Sequence, residues 1–231
     1  MYILFLKKLK KWFLFNYYNF CVKELCKAII LVVIDKLGQI HELLFYYGEY
    51  TMNHNINYQY ENIKLQPIKR NDIEYLRKWR NEKKNNMYLR QIGHITSYEQ
   101  RQWYDDYLKR KDELGFCIKE CNELNRIVGS VFLYGINGKQ AEFGRFLVGD
   151  AMAHGKKIGL NACYGMLHIG FEVLDLENIT LRCYKENLPA MKIYKKVGFK
   201  IISENEIEGK YDVPDGIEYF MKIKKQNWIK L

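Results

Sequence analysis

The sequence predicts a mixed α/β layered domain over residues 63–225, on three observations. Short runs rich in β-branched and aromatic residues recur between turn signals. Apolar residues at helical spacing separate some of those runs. The order that results, β-α-α-β-β-β-α-β-α-β-β, belongs to a sheet layered with helices and to no all-α or all-β domain.

Ile63-Lys64-Leu65-Gln66-Pro67 is the first expected strand. Asn71 with Glu74 three residues on is a capping-box signature for a helix through Leu76 and Trp79, and Ser97 with Gln100 repeats it before Trp103, Tyr107 and Leu108. Strands are expected at Gly115–Ile118 and Ile127–Tyr134, joined by the polar turn Asn122 to Arg126. A fourth, Ala141–Val148, follows an Asn137-Gly138 turn. Ile158, Ala162, Met166, Ile169 and Val173 then keep helical spacing. After a fifth strand, Asn178–Cys183, comes a short helix carrying Ala190, Ile193, Tyr194 and Val197, with Gly198 as its C′ residue. Strands Phe199–Glu208 and Gly216–Lys224 close the domain, leaving 226–231 as a tail.

Nearly half of the 231 residues are hydrophobic and only three are proline, so the chain can bury an ordinary core. The formal charge is +10, but the lysines are scattered and form no basic run, which speaks against nucleic acid as a partner. A mildly basic surface suits a ligand that carries phosphates. The six cysteines form no CxxC and no zinc-ligand spacing, so no metal is expected, and they suit structural thiols in a reducing cytoplasm.

Residues 1–51 differ from the rest. Lysine clusters alternate there with aromatic stretches, and the purest apolar run, Ala28 to Ile34, is far shorter than the ~20 residues of a membrane span. A helix lying in a membrane interface is one reading of this extension. The other is that Gly48-Glu49, encodable as a purine-rich ribosome-binding sequence, precedes a true start at Met52, with 52–62 as a polar leader.

The chemistry is expected after the fourth strand, in Ala141-Glu-Phe-Gly-Arg-Phe-Leu-Val-Gly-Asp-Ala-Met-Ala-His154-Gly-Lys-Lys-Ile-Gly159. A strand there enters a loop of small residues that opens a helix, and such a junction aims backbone N–H groups at an anion. Alone it is a weak signal, because an ordinary strand-to-helix turn has the same parts. The loop resembles the pyrophosphate loop of GCN5-related N-acetyltransferases, Q/R-x-x-G-x-G/A, with His154 and Lys157 departing from it and Gly159 matching. Asn187-Leu-Pro-Ala190-Met-Lys-Ile-Tyr194-Lys-Lys-Val-Gly198-Phe199 is similar to that family's N-x-x-A-x-x-x-Y-x-x-x-G-F helix at every position.

The resemblance implies a central mixed, mostly antiparallel sheet flanked by helices and splayed between the fourth and fifth strands. It implies acetyl-CoA as co-substrate, with its arm laid along Phe146, Leu147 and Val148 and contacted by Asn187. One backbone N–H there would polarise the thioester carbonyl. The pyrophosphate would rest on His154, Gly155, Lys156, Lys157, Ile158 and Gly159, which requires a right-handed conformation of Lys157. Tyr194 is the implied general acid, since a phenol can protonate a departing thiolate; it also completes the apolar stripe of its helix. Glu142 is the candidate base, directly or through a water, with an ion pair to Arg145 as the competing account, and a dedicated base need not exist. Asn187 equally suits a helix cap.

For the acceptor, Trp79-Arg80-Asn81 with Glu142-Phe143-Gly144 resembles the branch that acetylates nucleotide-linked amino sugars, as in pseudaminic acid synthesis. That branch lies near the ribosomal-protein N-terminal acetyltransferases and antibiotic-modifying members. Arg80 would then contact nucleotide phosphates while His94 and Tyr134 line the pocket, with Tyr88 and Gln91 on the same side. A helix-end cation and a solvated loop residue are the plain accounts of Arg80 and His94. The positive charge leans away from polycationic substrates. A homodimer is compatible with the resemblance, and so is a degenerate binding module that has lost the chemistry.

Overall fold

The computed structural model describes residues 54–89, 93–207 and 216–228, together with two backbone strands near the N-terminus. Those two, Ile30–Ile34 and Ile40–Leu44, pair antiparallel with Ile30 opposite Leu44. Residues 1–49 and 50–231 form two separate compact units, and the second carries the sheet and helices expected from sequence.

Its eight strands are β1 Tyr58–Tyr60, β2 Ile63–Pro67, β3 Glu113–Glu120, β4 Ile127–Asn137, β5 Gln140–Val148, β6 Asn178–Tyr184, β7 Lys200–Ile207 and β8 Gly216–Lys224. They form one sheet in the order β1-β2-β3-β4-β5-β6-β8-β7. Every pairing is antiparallel except β5 with β6. β1 is an addition, because it falls in the segment read as a polar leader. Its tyrosines Tyr58 and Tyr60 pack against the main core, and Gln59 between them is exposed.

Among the described residues five helices flank the sheet: α1 Ile73–Asn81, α2 Lys83–Asn86, α3 Ser97–Tyr107, α4 Ile158–His168 and α5 Leu188–Lys196. α4 runs on into a wider π-helical turn, Ile169–Val173. α1 and α3 cover one face, where Ile73, Leu76, Trp79, Tyr104 and Tyr107 meet Cys117 and Phe132. α4 and α5 cover the other, where Ile158, Ala162, Met166 and Tyr194 meet Phe143, Ile179 and Leu181. Val173, the last residue of the apolar stripe expected on α4, is half exposed, because the π turn rotates it off the buried face.

Both expected capping boxes differ in detail. The box on α3 is formed one residue earlier, by Thr96 and Glu99, each side chain bonding the other's backbone N–H. α1 begins at Asp72, whose carboxylate accepts from Lys69 N–H at 2.8 Å, while Glu74 is drawn to Arg77 instead. The end of α5 is as expected: Gly198 has φ +105°, Phe199 N–H bonds Tyr194 O and Gly198 N–H bonds Lys195 O, which is a Schellman closure.

Candidate active site

The site is built around a gap in the sheet. β5 and β6 are in parallel register only at Gln140–Asn178, Ala141–Ile179 and Glu142–Thr180, and no pair follows. β6 remains paired with β8 up to Tyr184. From Phe143 to Val148, therefore, the edge of β5 that faces β6 has no ladder partner there, and its backbone groups line the gap. This splay lies between the strands expected to part, now numbered β5 and β6 because of the added β1.

A bulge aims that edge. Ser130 pairs with Leu147 and Phe132 with Gly144, so Arg145 and Phe146 both stand opposite Val131. Arg145 takes φ +44°, an unfavourable conformation for a residue with a Cβ, costing on the order of 1–3 kcal/mol. It is held there by an ion pair to the buried Glu113 carboxylate, which also bonds Arg110 at 2.7 Å. Its guanidinium lies 4.9 Å from the Tyr134 ring centroid and 5.4 Å from that of Phe132. The Arg145 partner is thus Glu113 and not Glu142.

Glu142 has a different neighbour. The Tyr134 hydroxyl donates to its Oε1 at 2.7 Å, on the face covered by α1 and α3. Gly144 makes room for this contact, since a Cβ there would lie 2.6 Å from the Tyr134 hydroxyl. Phe143, the next residue, points to the opposite face. There its ring meets Tyr194 edge-on at 5.8 Å, and Tyr194 in turn meets Phe199 at 5.9 Å. Tyr194 consequently lies at the root of the gap. Burial pushes its phenol well above the usual range, and Cys163, Cys183 and Tyr134 add to the rise, so the group stays protonated. A proton donor on one face and a carboxylate on the other flank the place where β5 and β6 separate.

The loop after β5 is a short 3₁₀ turn, Ala151–Ala153, capped by Asp150, whose side chain accepts from Met152 N–H at 3.0 Å. Gly155 has φ +79° with nothing within 4 Å of where a Cβ would stand. Lys157 takes φ +60°, contrary to the right-handed conformation expected of it. A left-handed residue is what lets the chain turn from the loop into α4, and lysine adopts it at a cost that glycine would avoid. The first intrahelical bond of α4 runs from Asn161 N–H to Lys157 O, and Lys157 offers no side-chain cap. The N–H groups of Ile158, Gly159 and Leu160 thus have no intrahelical acceptor and point out of the helix. Gly159 sits 3.0 Å from Ile193 and 3.4 Å from Phe146, measured from a built Cβ, so α4, α5 and β5 converge at this point.

Other expected site residues serve the loop differently. The His154 ring donates from Nε2 to Val148 O at 3.1 Å, which ties the loop to the end of β5. The Lys156 ammonium pairs with Glu123. Asn187 caps α5, accepting from Ala190 N–H at 3.3 Å. Arg80 is half-buried on α1, and burial together with the nearby Arg145 charge lowers its pKa. Its neighbour Trp79 packs where a Cβ on Gly149 would stand, 2.2 Å from the indole, which docks α1 over the end of β5. His94 is exposed in the loop before α3, and Gln91 lies outside the described residues. The Tyr88 hydroxyl donates to Glu186 O at 3.2 Å, bringing the segment after α2 to the loop between β6 and α5.

Sequence reasoning missed Asn62, Asn161, Arg126 and Asp150. Asn62 donates to Lys156 O at 3.1 Å, Asn161 donates to Asn62 Oδ1 at 2.8 Å, and Arg126 pairs with Asp150 at 2.8 Å. These polar residues sit far apart in sequence, in turns, at a strand end and on the first turn of α4, and no periodicity marks them.

An open strand edge followed by a helix start with outward N–H groups fits a long ligand that carries both amides and phosphates. Residues 62–200, more than half of the chain, match the acetyltransferase (GNAT) domain family. The chain belongs to that family. Spermidine N(1)-acetyltransferase of Escherichia coli K12 is 29% identical over 144 residues, which are 62% of this chain and 75% of that one. Spermidine N-acetyltransferase of Vibrio cholerae, solved with CoA and spermine, superposes with a TM-score of 0.66 at 20% identity, over 72% of this chain and 97% of that one. A GNAT acetyltransferase of Bacillus anthracis gives 0.63 at 19% identity, over 74% and 99%. The protein is therefore an acyltransferase with the GNAT fold, and acetyl-CoA is its co-substrate. The curated relatives found are spermidine N(1)-acetyltransferases, and not members of the amino-sugar or ribosomal-protein branches that Trp79-Arg80-Asn81 resembled. Among the described residues no group of His, Cys, Asp and Glu is placed to hold a metal ion, and no helix is long and apolar enough to cross a membrane.

Proposed function

We propose that the protein acetylates a primary amine of a polyamine such as spermidine. Glu142 carries the proposal: its carboxylate is held by the Tyr134 hydroxyl at the point where β5 and β6 separate. A carboxylate so placed can accept a hydrogen bond from an incoming amine and take a proton from it. The names of the relatives support the same class of acceptor.

When bound, acetyl-CoA supplies an acetyl group activated as a thioester. The open edge of β5 at Phe146, Leu147 and Val148 holds the coenzyme arm as an added strand would be held, and one of its N–H groups polarises the thioester carbonyl. The N–H groups at the start of α4, Ile158 and Gly159, with those of Gly155 and Lys157, receive the pyrophosphate. Glu142 removes the amine proton from one face, and the Tyr194 hydroxyl gives its proton to the departing sulfur from the other. Burial raises the Tyr194 pKa, so its hydroxyl carries the proton that the sulfur needs.

One observation favours a second reading, an acceptor amine that also bears an anionic group, as a nucleotide-linked amino sugar does. Arg80 and Arg145 lie close enough for each charge to act on the other, on the face that holds Glu142. The purified protein, acetyl-CoA and a panel of amines, followed by release of free thiol, decide between the readings. Spermidine should surpass a nucleotide-linked amino sugar by about tenfold or more in kcat/KM, the ratio that measures discrimination between substrates. An amino sugar that outruns every polyamine would overturn the first reading and favour the second.

A further inference from the structure

The turn between β1 and β2 reaches the coenzyme loop. Glu61 takes φ +51° there, which presents Asn62 toward the start of α4. The Asn62 amide nitrogen donates to Lys156 O at 3.1 Å, and its amide oxygen accepts from the Asn161 side chain at 2.8 Å. Asn161 is buried, 8% exposed, on the first turn of α4. The Asn62 carbonyl accepts from Cys121 N–H at 2.9 Å, which anchors the turn to the β3–β4 hairpin. Lys156 O belongs to the peptide that leads into Lys157, the residue held left-handed at φ +60°. A β-turn amide thus grips the one peptide whose orientation decides where the N–H groups of Lys157, Ile158 and Gly159 point.

We propose that Asn62 is a positioning residue for acetyl-CoA, clamping the Lys156–Lys157 peptide so that lysine keeps the left-handed turn. The inference rests on the reading of the loop from His154 to Gly159 as the pyrophosphate site. It accounts for a lysine where the family has glycine: the backbone preference that glycine would supply is replaced by a side-chain hydrogen bond from elsewhere in the fold.

Asn62→Asp removes the donor to Lys156 O while its carboxylate still accepts from Asn161; because it also adds a negative charge near the loop, Asn62→Ala, which removes the donor without adding charge, is measured beside it and should weaken CoA binding too. Calorimetric titration of the full chain with CoA should show binding weakened about tenfold, in line with loss of one buried hydrogen bond. The KM for acetyl-CoA should rise with it, while kcat at saturation and the KM for the amine change little. Lys157→Gly in the Asn62→Asp background should restore most of the lost affinity, which a role in general stability would not predict. Lys157→Pro, which removes both the N–H and the left-handed turn, serves as a control on the loop. Weakened binding in Lys157→Pro with wild-type binding in Asn62→Asp would overturn the clamp and keep the loop reading. Wild-type CoA binding in both would remove the loop from the coenzyme site and the clamp with it. Should Asn62→Asp not fold, the comparison is made with Asn62→Ala in the Lys157→Gly background, where CoA affinity must lie within about threefold of Lys157→Gly alone; a larger loss overturns the proposal.

Discussion

Tyr194 serves packing and chemistry with different atoms. Its ring fills the space between Phe143 and Phe199, and its hydroxyl is the only part that phenylalanine lacks. Tyr194→Phe should therefore fold normally and bind CoA with wild-type affinity, yet lose about tenfold or more in kcat. Unchanged turnover, with chemistry shown to be rate-limiting, would remove Tyr194 from the mechanism. The pH dependence has a definite sign. A general acid works while protonated and fails as pH rises through its pKa, and burial moves that of Tyr194 upward. The rate should consequently climb with pH as the amine loses its proton, with no fall due to Tyr194 below about pH 10. An alkaline limb below that value that vanishes in Tyr194→Phe would contradict the assignment.

At the scale of elements, β5 shows which features a sequence reveals and which it hides. The strand, the glycine-bearing loop and helix α5 were legible because each is written locally, in alternation, turn residues and the Asn187–Phe199 spacing. The bulge at Arg145 was not, since an arginine at φ +44° is stabilised by Glu113, thirty-two residues away. Nor was β1, whose alternation spans only Tyr58–Tyr60. The Glu142 partner was hidden for the same reason, because cross-strand register decides it. Gly144 follows from that register: its bare Cα admits the Tyr134 hydroxyl that bonds Glu142. Gly144→Ala should displace that hydroxyl, cost roughly 1–3 kcal/mol as an overpacking change, and lower turnover with CoA binding retained. Thermal unfolding and calorimetry read the two effects separately, and full activity with an unaltered melting temperature would show that the Tyr134–Glu142 contact is dispensable.

At the scale of the whole molecule, every residue of the candidate site lies in the compact unit formed by residues 50–231. The segment just after Met52 is built into that unit. His54 donates from Nε2 to Gly115 O at 2.9 Å and its ring packs on Phe116 at 4.5 Å, while burial lowers its pKa and keeps the imidazole neutral. Tyr58 stacks on His168 at 4.3 Å, and Asn62 grips the coenzyme loop. Each of these contacts is internal to the unit, so its stability and coenzyme affinity should not depend on residues 1–51. Expressed alone, residues 52–231 should melt within about 3 °C of the full chain, the shift that a change below 1 kcal/mol produces in a domain of this size. They should also bind CoA with the same affinity and turn over the same amine. Loss of folding or of CoA binding in the shorter chain would instead assign the N-terminal unit a direct part in holding the acetyltransferase domain together. Truncation beyond His54, to a start at Tyr60, should be markedly worse, because it removes the His54 bond, the strand pairing of Tyr58 and the Tyr58–His168 stack while leaving Asn62 in place. A chain starting at Tyr60 that melts like the one starting at Met52 would mean that β1 contributes nothing to the fold.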